Sequence, residues 1–257
     1  MASKFERFKE LHQQAIPLLI GNVWNVQSAA IYEKLNYEAI GTSSAAISHS
    51  LGYEDGENMP FAEYLYVVKR ILKKTTLPLT VDLEFGYGDD IETIYQNINE
   101  LYKLGVVGIN LEDSKVANGV RQLQDRFTFL DKIEGLVELL KRKGVNIFMN
   151  VRCDAFLMGI PDALRETIAR VKLYESKLVD GIFVPGVTAE NDIISFVQST
   201  SLPVNVMCMP ELPDFKTLKT LGIKRISMGN FVNDYIYERM KTVSATFVEN
   251  HNFSALF

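Results

Sequence analysis

The stretch that decides the fold is LTVDLEFGYGDDIETIYQNINELYKLGVVGINLED, residues 79–113. It begins with an apolar run, Leu79–Glu84, that predicts a strand, and it closes with a second one, Val107–Glu112. Between them, Ile91–Leu104 carries apolar residues at the i, i+3 and i+4 spacing of a helix that packs on a sheet. Acidic residues can cap the start of that helix, and Gly105 can end it in a left-handed conformation. The stretch therefore predicts one β–α–β unit.

The same alternation of strand and helix patterns extends along the rest of the chain. The predicted strands are Pro17–Asn22, Ala39–Ser43, Leu79–Glu84, Val107–Glu112, Asn146–Arg152, Gly181–Pro185, Val204–Met207 and Arg225–Met228. The predicted helices are Gln27–Leu35, Phe61–Lys74, Ile91–Leu104, Phe129–Lys143, Pro161–Leu178, Glu190–Gln198 and Pro213–Leu221. Eight such units predict an α/β protein, a closed (β/α)8 TIM barrel formed by one domain over residues 1–257, with a C-terminal helix at about 230–250. No GxGxxG follows the first strand, which disfavours a dinucleotide-binding sheet.

The composition is that of a globular protein with a sizeable core. Apolar residues make up 47% of the chain and charged residues 23%, and the formal charge is −5. Three His and two Cys argue against a disulfide scaffold and a Cys/His zinc site, and the acidic balance argues against a nucleic-acid partner. No signal-peptide or membrane-spanning run is present, so we expect a cytoplasmic protein without a membrane partner.

Polar residues concentrate where the predicted strands end, which is the edge of a (β/α)8 barrel that carries active sites. Asp82 and Glu84 are two residues apart, so we expect them on one face of the third strand, pointing into the mouth. Together with Glu112 from the next strand they suit Mg²⁺ or Mn²⁺, because crowded carboxylates in a cleft need a compensating cation. The alternative is that these acids cap helices or pair with basic residues at the rim.

Two further groups at strand ends suit an anionic ligand. Arg152 ends the fifth predicted strand, and its guanidinium can bind a carboxylate with two parallel hydrogen bonds. The alternative is an intramolecular pair with Glu112 or Asp82. The Thr42–Ser44 turn offers hydroxyl and backbone N–H groups to an anionic oxygen, although capping the next helix is an equally simple role.

Four runs of sequence now define a resemblance. TSSAAISHSLGYEDGE (42–57), VDLEFGYGD (81–89), INLEDS (109–114) and NVRCDAF (150–156) follow successive strands, and together they resemble the isocitrate lyase / phosphoenolpyruvate mutase superfamily. The likeness extends from about Trp24 to Gly229. It implies a Mg²⁺-dependent enzyme that makes or breaks a C–C or P–C bond beside a small 2-oxo acid or phosphonate, through an enolate.

The resemblance also implies roles for particular residues. Asp82 matches the main metal ligand, and Glu84, Glu112 and Asp55 match acids that hold metal-bound water. Arg152 matches the arginine that grips the substrate carboxylate. The remaining substrate-binding candidates are Trp24, the turn residues Thr42, Ser43 and Ser44, and Asn205 in the seventh strand.

The chain departs from its superfamily in the loop after the fourth strand. Isocitrate and methylisocitrate lyases carry a K-[KR]-C-G-H segment there, whereas SKVANGVRQLQDRFTF (114–129) has neither Cys nor His, which excludes those two activities. Asn118 lies near the position of an Asn used by phosphonate-handling members, so it is a catalytic candidate. Several lyases carry a Glu where this chain has Gly186. A catalytically silent homologue that keeps the metal and carboxylate pocket is therefore the alternative.

The C-terminal segment, NDYIYERMKTVSATFVENHNFSALF, has apolar residues such as Tyr235 and Met240 that a single barrel leaves uncovered. Superfamily members often assemble with a terminal helix packed on a neighbour. We therefore predict a homo-oligomer, a dimer or a tetramer.

Overall fold

The computed structural model describes residues 3–117, 119–176 and 179–257. Its strands are β1 (Leu18–Val23), β2 (Ala39–Thr42), β3 (Leu79–Asp82), β4 (Gly108–Glu112), β5 (Ser114–Ala117), β6 (Val120–Leu123), β7 (Phe148–Arg152), β8 (Gly181–Val184), β9 (Val204–Met207) and β10 (Arg225–Ser227). All except β5 and β6 are parallel and close into a barrel, because β1 pairs with both β2 and β10. The predicted (β/α)8 barrel is confirmed.

The helices cover the outside of the barrel and one of its ends. They are α1 (Lys4–Leu11), α2 (Val26–Lys34), α3 (Ser44–Leu51), α4 (Phe61–Leu72), α5 (Ile91–Leu104), α6 (Arg126–Lys143), α7 (Ala163–Glu175), α8 (Glu190–Val197), α9 (Phe215–Thr220) and α10 (Phe231–Asn250). In α5 the apolar stripe is buried, the Asp90 side chain accepts from Thr93 N–H at 2.9 Å, and Gly105 ends the helix at φ +97°. No helix in the described ranges is long and apolar enough to span a bilayer.

Three features of the structure differ from the pattern expected from sequence. Helices α1 and α3 were not predicted, and the loop after β4 contains an antiparallel hairpin, β5–β6, which we call the mouth hairpin. The predicted helix Pro161–Leu178 is shorter at its start, since α7 begins at Ala163, and Leu178 lies outside the described residues. α1 packs Phe8 and Leu11 against Phe148 at the N-terminal end of the barrel.

The third strand ends two residues earlier than predicted. β3 stops at Asp82, and Glu84 has a left-handed backbone with φ +52°. The chain turns here because Gly86, at φ +118°, packs against α5 so closely that a Cβ would lie 2.7 Å from Ile94. The expectation that Asp82 and Glu84 share one strand face is therefore wrong, although both remain beside the mouth.

Candidate active site

A polar cavity of about 190 Å³ lies at the C-terminal ends of the barrel strands, and we call it the mouth cavity. Its lining comprises Asn22, Thr42, Ser43, Ser44, Ala45, Asp55, Asp82, Asn110, Arg121, Arg152, Leu157, Phe183, Met207, Ser227, Gly229 and Asn230. A larger cavity of about 430 Å³ lies beside α1 and α6, where two of its charged residues, Lys9 and Asp180, pair with each other at 3.4 Å. The mouth cavity is the place where carboxylates and guanidiniums meet.

Asp82 is held from three sides at the end of β3. Its backbone N–H donates to Thr42 Oγ1 at 2.9 Å, which ties β3 to the end of β2. Its carboxylate accepts from Ser44 Oγ at 2.8 Å on Oδ2 and from Asn110 Nδ2 at 3.4 Å on Oδ1. Each oxygen has one such donor, so lone pairs remain for a ligand in the cavity.

The pKa values of the other predicted metal-site acids are all raised. Burial, reinforced by the charges of Asp55 and Glu112, raises the pKa of Glu84 to about 9. Burial also raises the pKa of Glu112 to about 8, against the opposing effect of Arg152. The pKa of Asp55 is raised by burial and by the charge of Asp82, and its Oδ1 is buried without a hydrogen-bond donor in the described part of the chain.

This donor set fits a divalent cation that keeps much of its water. Within the described residues, no three His, Cys, Asp or Glu side chains are placed to hold an ion directly. Among the residues that the structure describes, the acids around the mouth nevertheless outnumber the guanidiniums of Arg121 and Arg152, and Asp55 Oδ1 has no donor. Mg²⁺ is commonly bound through one or two carboxylates with several waters. Asp82 would hold the ion, and the other acids would hold its water.

Arg152 pairs within the protein and also faces the mouth cavity. The register of β4 and β7 sets it beside Glu112, whose Oε2 is 2.9 Å from Arg152 Nη1. Nε and Nη2 bond to the two oxygens of Asp154 at 2.6 and 3.2 Å. The pairing expected with Glu112 is thus present, and Asp154 takes the place of Asp82 as the second partner. A guanidinium has five N–H groups, so these contacts leave donors for a ligand.

Arg121, on β6 of the mouth hairpin, was missed by the sequence analysis. Its Nη1 bonds to Glu112 Oε1, and to Asp154 Oδ2 at 3.2 Å, while its Nη2 bonds to Asp55 Oδ2 at 3.3 Å. It therefore ties the hairpin to acids from three separate segments. The signal in the sequence is its position in the loop after the fourth strand, nine residues beyond Glu112.

The residues of the Thr42–Ser44 turn have different roles. Thr42 Oγ1 is 2.6 Å from the hydroxyl of Tyr64, and the Ser43 side chain caps α3 by accepting from Ala46 N–H at 3.3 Å. Ser44 and Ala45 form the first turn of α3 and line the mouth cavity. Because a helix leaves its first N–H groups without intrahelical acceptors, this turn can donate to an anionic oxygen.

Two of the candidates do not line the mouth cavity, and a third cannot be placed because it is not among the described residues. Trp24 lines a different surface cavity with Ile47 and Tyr66, and it is absent from the described lining of the mouth. Asn205 is buried, and its Nδ2 donates to Ser227 Oγ at 2.9 Å. Asn118 lies outside the described residues.

Gly186 stands where several lyases carry a glutamate. It has φ +86°, and a Cβ there would lie 2.8 Å from the backbone N of Leu157. Leu157 itself lines the mouth cavity. The chain after β7 therefore fills the space that a side chain at 186 would need.

A second buried network lies beside the mouth and supports it. Asp113 Oδ2 accepts from Arg170 Nη1 and from the Tyr174 hydroxyl, each at 3.1 Å, and Asp113 Oδ1 accepts from Asp154 N–H at 2.9 Å. Arg170 Nη2 also donates to Gln124 O at 2.7 Å, next to the mouth hairpin. This network fixes the backbone that presents Asp154 to Arg152.

Comparison with known proteins shows what this chain is similar to in sequence and in fold. The family model described as phosphoenolpyruvate phosphomutase matches residues 8–248. A solved structure described as a "putative phosphonomutase from Burkholderia cenocepacia J2315" is 35% identical, with TM-score 0.85, over 95% of this chain and 98% of that one. An oxaloacetate decarboxylase of Bradyrhizobium sp. (strain ORS 278) is 27% identical over 81% of this chain and 72% of its own. A phosphonopyruvate hydrolase solved with oxalate and Mg²⁺ shares the fold at 18% identity and TM-score 0.85, covering 98% of this chain and 89% of that one.

Proposed function

Since the chain belongs to the phosphoenolpyruvate phosphomutase family, we propose that it is a Mg²⁺-dependent or Mn²⁺-dependent enzyme acting beside the oxo group of a small 2-oxo acid. It makes or breaks a C–C or P–C bond through an enolate, as the family's lyases, mutases and hydrolases do. The observation that carries the proposal is the meeting of Asp82, Arg152 and the first turn of α3 around one cavity. In this proposal residues 1–257 act as one domain in the cytoplasm.

Each group in the cavity has a distinct task. The free N–H groups of Arg152 bind the substrate carboxylate, and the first turn of α3 donates to the oxygen on which negative charge develops. Asp82 would hold the divalent ion, which supplies Lewis-acid stabilisation of that same charge when bound. Asp55, Glu84 and Glu112 would orient its water.

The mouth hairpin favours a reaction whose leaving group needs no proton. Its sequence has no Cys and no His, so it lacks the two side-chain types that the K-[KR]-C-G-H segment of isocitrate and methylisocitrate lyases provides there. In decarboxylation of a 3-carboxy-2-oxo acid, the electrons of the broken C–C bond pass to the enolate and CO₂ leaves unprotonated. The enolate then takes one proton from water at C3 to give the 2-oxo acid. Similarity to an oxaloacetate decarboxylase supports this choice. We therefore place 2-oxo dicarboxylates first among substrates and phosphonates second.

A second candidate is a catalytically silent homologue. It is favoured by the way Arg121 and Arg152 are already paired with Glu112 and Asp154 within the protein. Such a protein binds a 2-oxo acid or an enolate mimic with Mg²⁺ but consumes nothing.

The test is consumption of oxaloacetate and phosphonopyruvate with Mg²⁺, with Mn²⁺ and with a chelator. We expect metal-dependent turnover that disappears in Asp82→Asn and persists in Asp131→Asn, a matched substitution of an exposed aspartate on α6. Turnover that is unaffected by Asp82→Asn contradicts the proposed metal site. Metal-dependent binding without turnover of any 2-oxo acid supports the silent homologue.

We also propose that the protein is a homo-oligomer, a dimer or a tetramer. Within α10, Asn233 is the one residue that is buried, while Tyr235, Ile236, Tyr237 and Met240 are exposed. Covering this apolar surface with another copy would remove it from water. Light scattering of the full chain at micromolar concentration tests this, and a particle of 29.1 kDa contradicts it.

A further inference from the structure

Arg225 is a buried guanidinium in the middle of the barrel. It lies on β10, which is on the opposite side of the barrel from β4, and its side chain crosses the interior to reach Asn110. The residue is 2% exposed, and its guanidinium carbon lies 6.0 Å from the ring centre of Phe8 on α1. It does not line the mouth cavity but lies beneath it.

This guanidinium has few partners. Nη2 donates to Asn110 Oδ1 at 3.4 Å, whereas Nε and Nη1 are buried without a hydrogen-bond partner in the part of the chain that the structure describes. No carboxylate forms an ion pair with it within those same residues. Burial lowers the pKa of Arg225 to about 9, with the charge of Asp82 opposing that shift. An unpaired buried charge opposes folding, so its presence calls for a role other than stability.

The role follows from the amide that Arg225 contacts. Asn110 Oδ1 accepts from Asn150 Nδ2 at 2.9 Å and from Arg225 Nη2 at 3.4 Å. Two donors at the carbonyl oxygen leave the amide one orientation, with Nδ2 facing Asp82 Oδ1 at 3.4 Å. The flipped amide would place its oxygen against the Asp82 carboxylate and its NH₂ against two donors. Arg225 and Asn150 therefore together fix which atom of Asn110 faces the mouth.

We propose that Arg225 is a positioning residue for the reaction at the mouth: it fixes the Asn110 amide so that Asn110 donates to Asp82, and it sets a permanent positive charge beneath the developing enolate. The inference rests on the proposed function and assigns a group to it that does not touch the substrate. A charge held in the barrel interior acts on the enolate with little screening by water.

The test compares binding and stability in the same variants. Oxalate, a mimic of the pyruvate enolate, is titrated into the full chain at saturating Mg²⁺, and unfolding is followed in urea. Arg225→Met removes the charge and the donor at similar volume, and Arg225→Lys keeps the charge. For Arg225→Met we expect a urea midpoint equal to or above that of the wild type and an oxalate affinity lower by roughly ten-fold or more. Arg225→Lys should recover part of that affinity.

A purely structural role moves these readouts differently. It predicts a lower urea midpoint for Arg225→Met with wild-type oxalate affinity in the folded fraction, and that result overturns the inference. If Arg225→Met does not fold, Asn150→Leu tests the same amide from its other donor. Weakened oxalate binding there supports the inference, and unchanged binding overturns it. If the wild type itself does not bind oxalate with Mg²⁺, the proposed function fails as well. If the wild type binds oxalate and Arg225→Met binds it equally well, only this inference fails.

Discussion

Arg170 and Arg225 are both buried, but one has a partner for every nitrogen and the other has few. Arg170 Nε bonds to Glu166, Nη1 to Asp113 and Tyr174, and Nη2 to a backbone carbonyl. Within the described residues, Arg225 has one weak bond, to Asn110. The first arrangement is that of a charge used to hold structure together, since its desolvation is offset by neighbours. The second leaves a charge whose field is available to the mouth above it.

The largest expected effect is a loss of stability on replacing Arg170, the arginine whose nitrogens all have partners. Arg170→Met leaves the buried Asp113 carboxylate without its ion pair, so we expect the free energy of unfolding to fall by about 3–5 kcal/mol. Urea denaturation measures this, with Arg225→Met as the matched control, which should change stability by less than about 1 kcal/mol or increase it. Equal losses in the two variants would erase the distinction between the two arginines.

Arg152 lies between these extremes, because it is paired within the protein yet faces the cavity. Arg152→Gln removes the charged donors for a substrate carboxylate, so oxalate binding with Mg²⁺ should weaken by about 2–3 kcal/mol. Calorimetry of this variant beside Arg126→Gln, a change at the partly exposed start of α6, measures it. Comparable losses in both variants would mean that Arg152 has no specific role in binding.

His12, on the chain just after α1, is a second buried base with an unpartnered nitrogen. Its Nδ1 lies 2.7 Å from Phe8 O, its Nε2 has no partner in the described residues, and burial lowers its pKa to about 3. The unfolded chain, at about 6.5, binds the proton first, so stability is full above pH 6.5 and is lost as the pH falls towards 3. The wild type should lose about 2 kcal/mol more than His12→Phe between pH 7 and pH 5. Urea denaturation at both pH values measures this. Equal losses of unfolding free energy in the two proteins between pH 7 and pH 5 would show that His12 does not titrate in this way.

Arg121 gives the smallest expected effect, because its own side chain is partly exposed to water, although Glu112 and Asp154 are buried. It bonds to Asp55 and Glu112, which are also proposed to hold the water bound to the metal. The guanidinium and a hydrated divalent ion therefore compete for the same carboxylate oxygens. We expect Arg121→Gln to tighten Mg²⁺ binding in the absence of substrate by about 1 kcal/mol, measured by calorimetry. Lys115→Gln, on the other strand of the mouth hairpin, should leave the affinity unchanged. Weaker Mg²⁺ binding in Arg121→Gln would mean that the arginine organises the acids instead of competing for them.

The sequence predicted correctly those elements and site residues that depend on one local pattern. Periodicity placed the barrel strands and most helices, and the rule that strand ends face one rim placed Asp82, Arg152 and Ser44 at one cavity. Glu84 was assigned to the wrong conformation because the turn depends on the packing of Gly86 against α5, which is a tertiary contact. Arg121 and Arg225 were missed for a related reason. Arg121 contacts acids from three separate segments, and Arg225 reaches a strand on the opposite side of the barrel, so no spacing within one segment reports these contacts together.

The central claim is that Asp82 anchors a metal-dependent enolate pocket, and calorimetry of oxalate binding to the wild type and to Asp82→Ala, with and without Mg²⁺, tests it most directly. The account predicts binding to the wild type that requires Mg²⁺ and is lost in Asp82→Ala, while both proteins unfold at similar urea concentrations. Binding that is independent of Mg²⁺ or that survives in Asp82→Ala would contradict it.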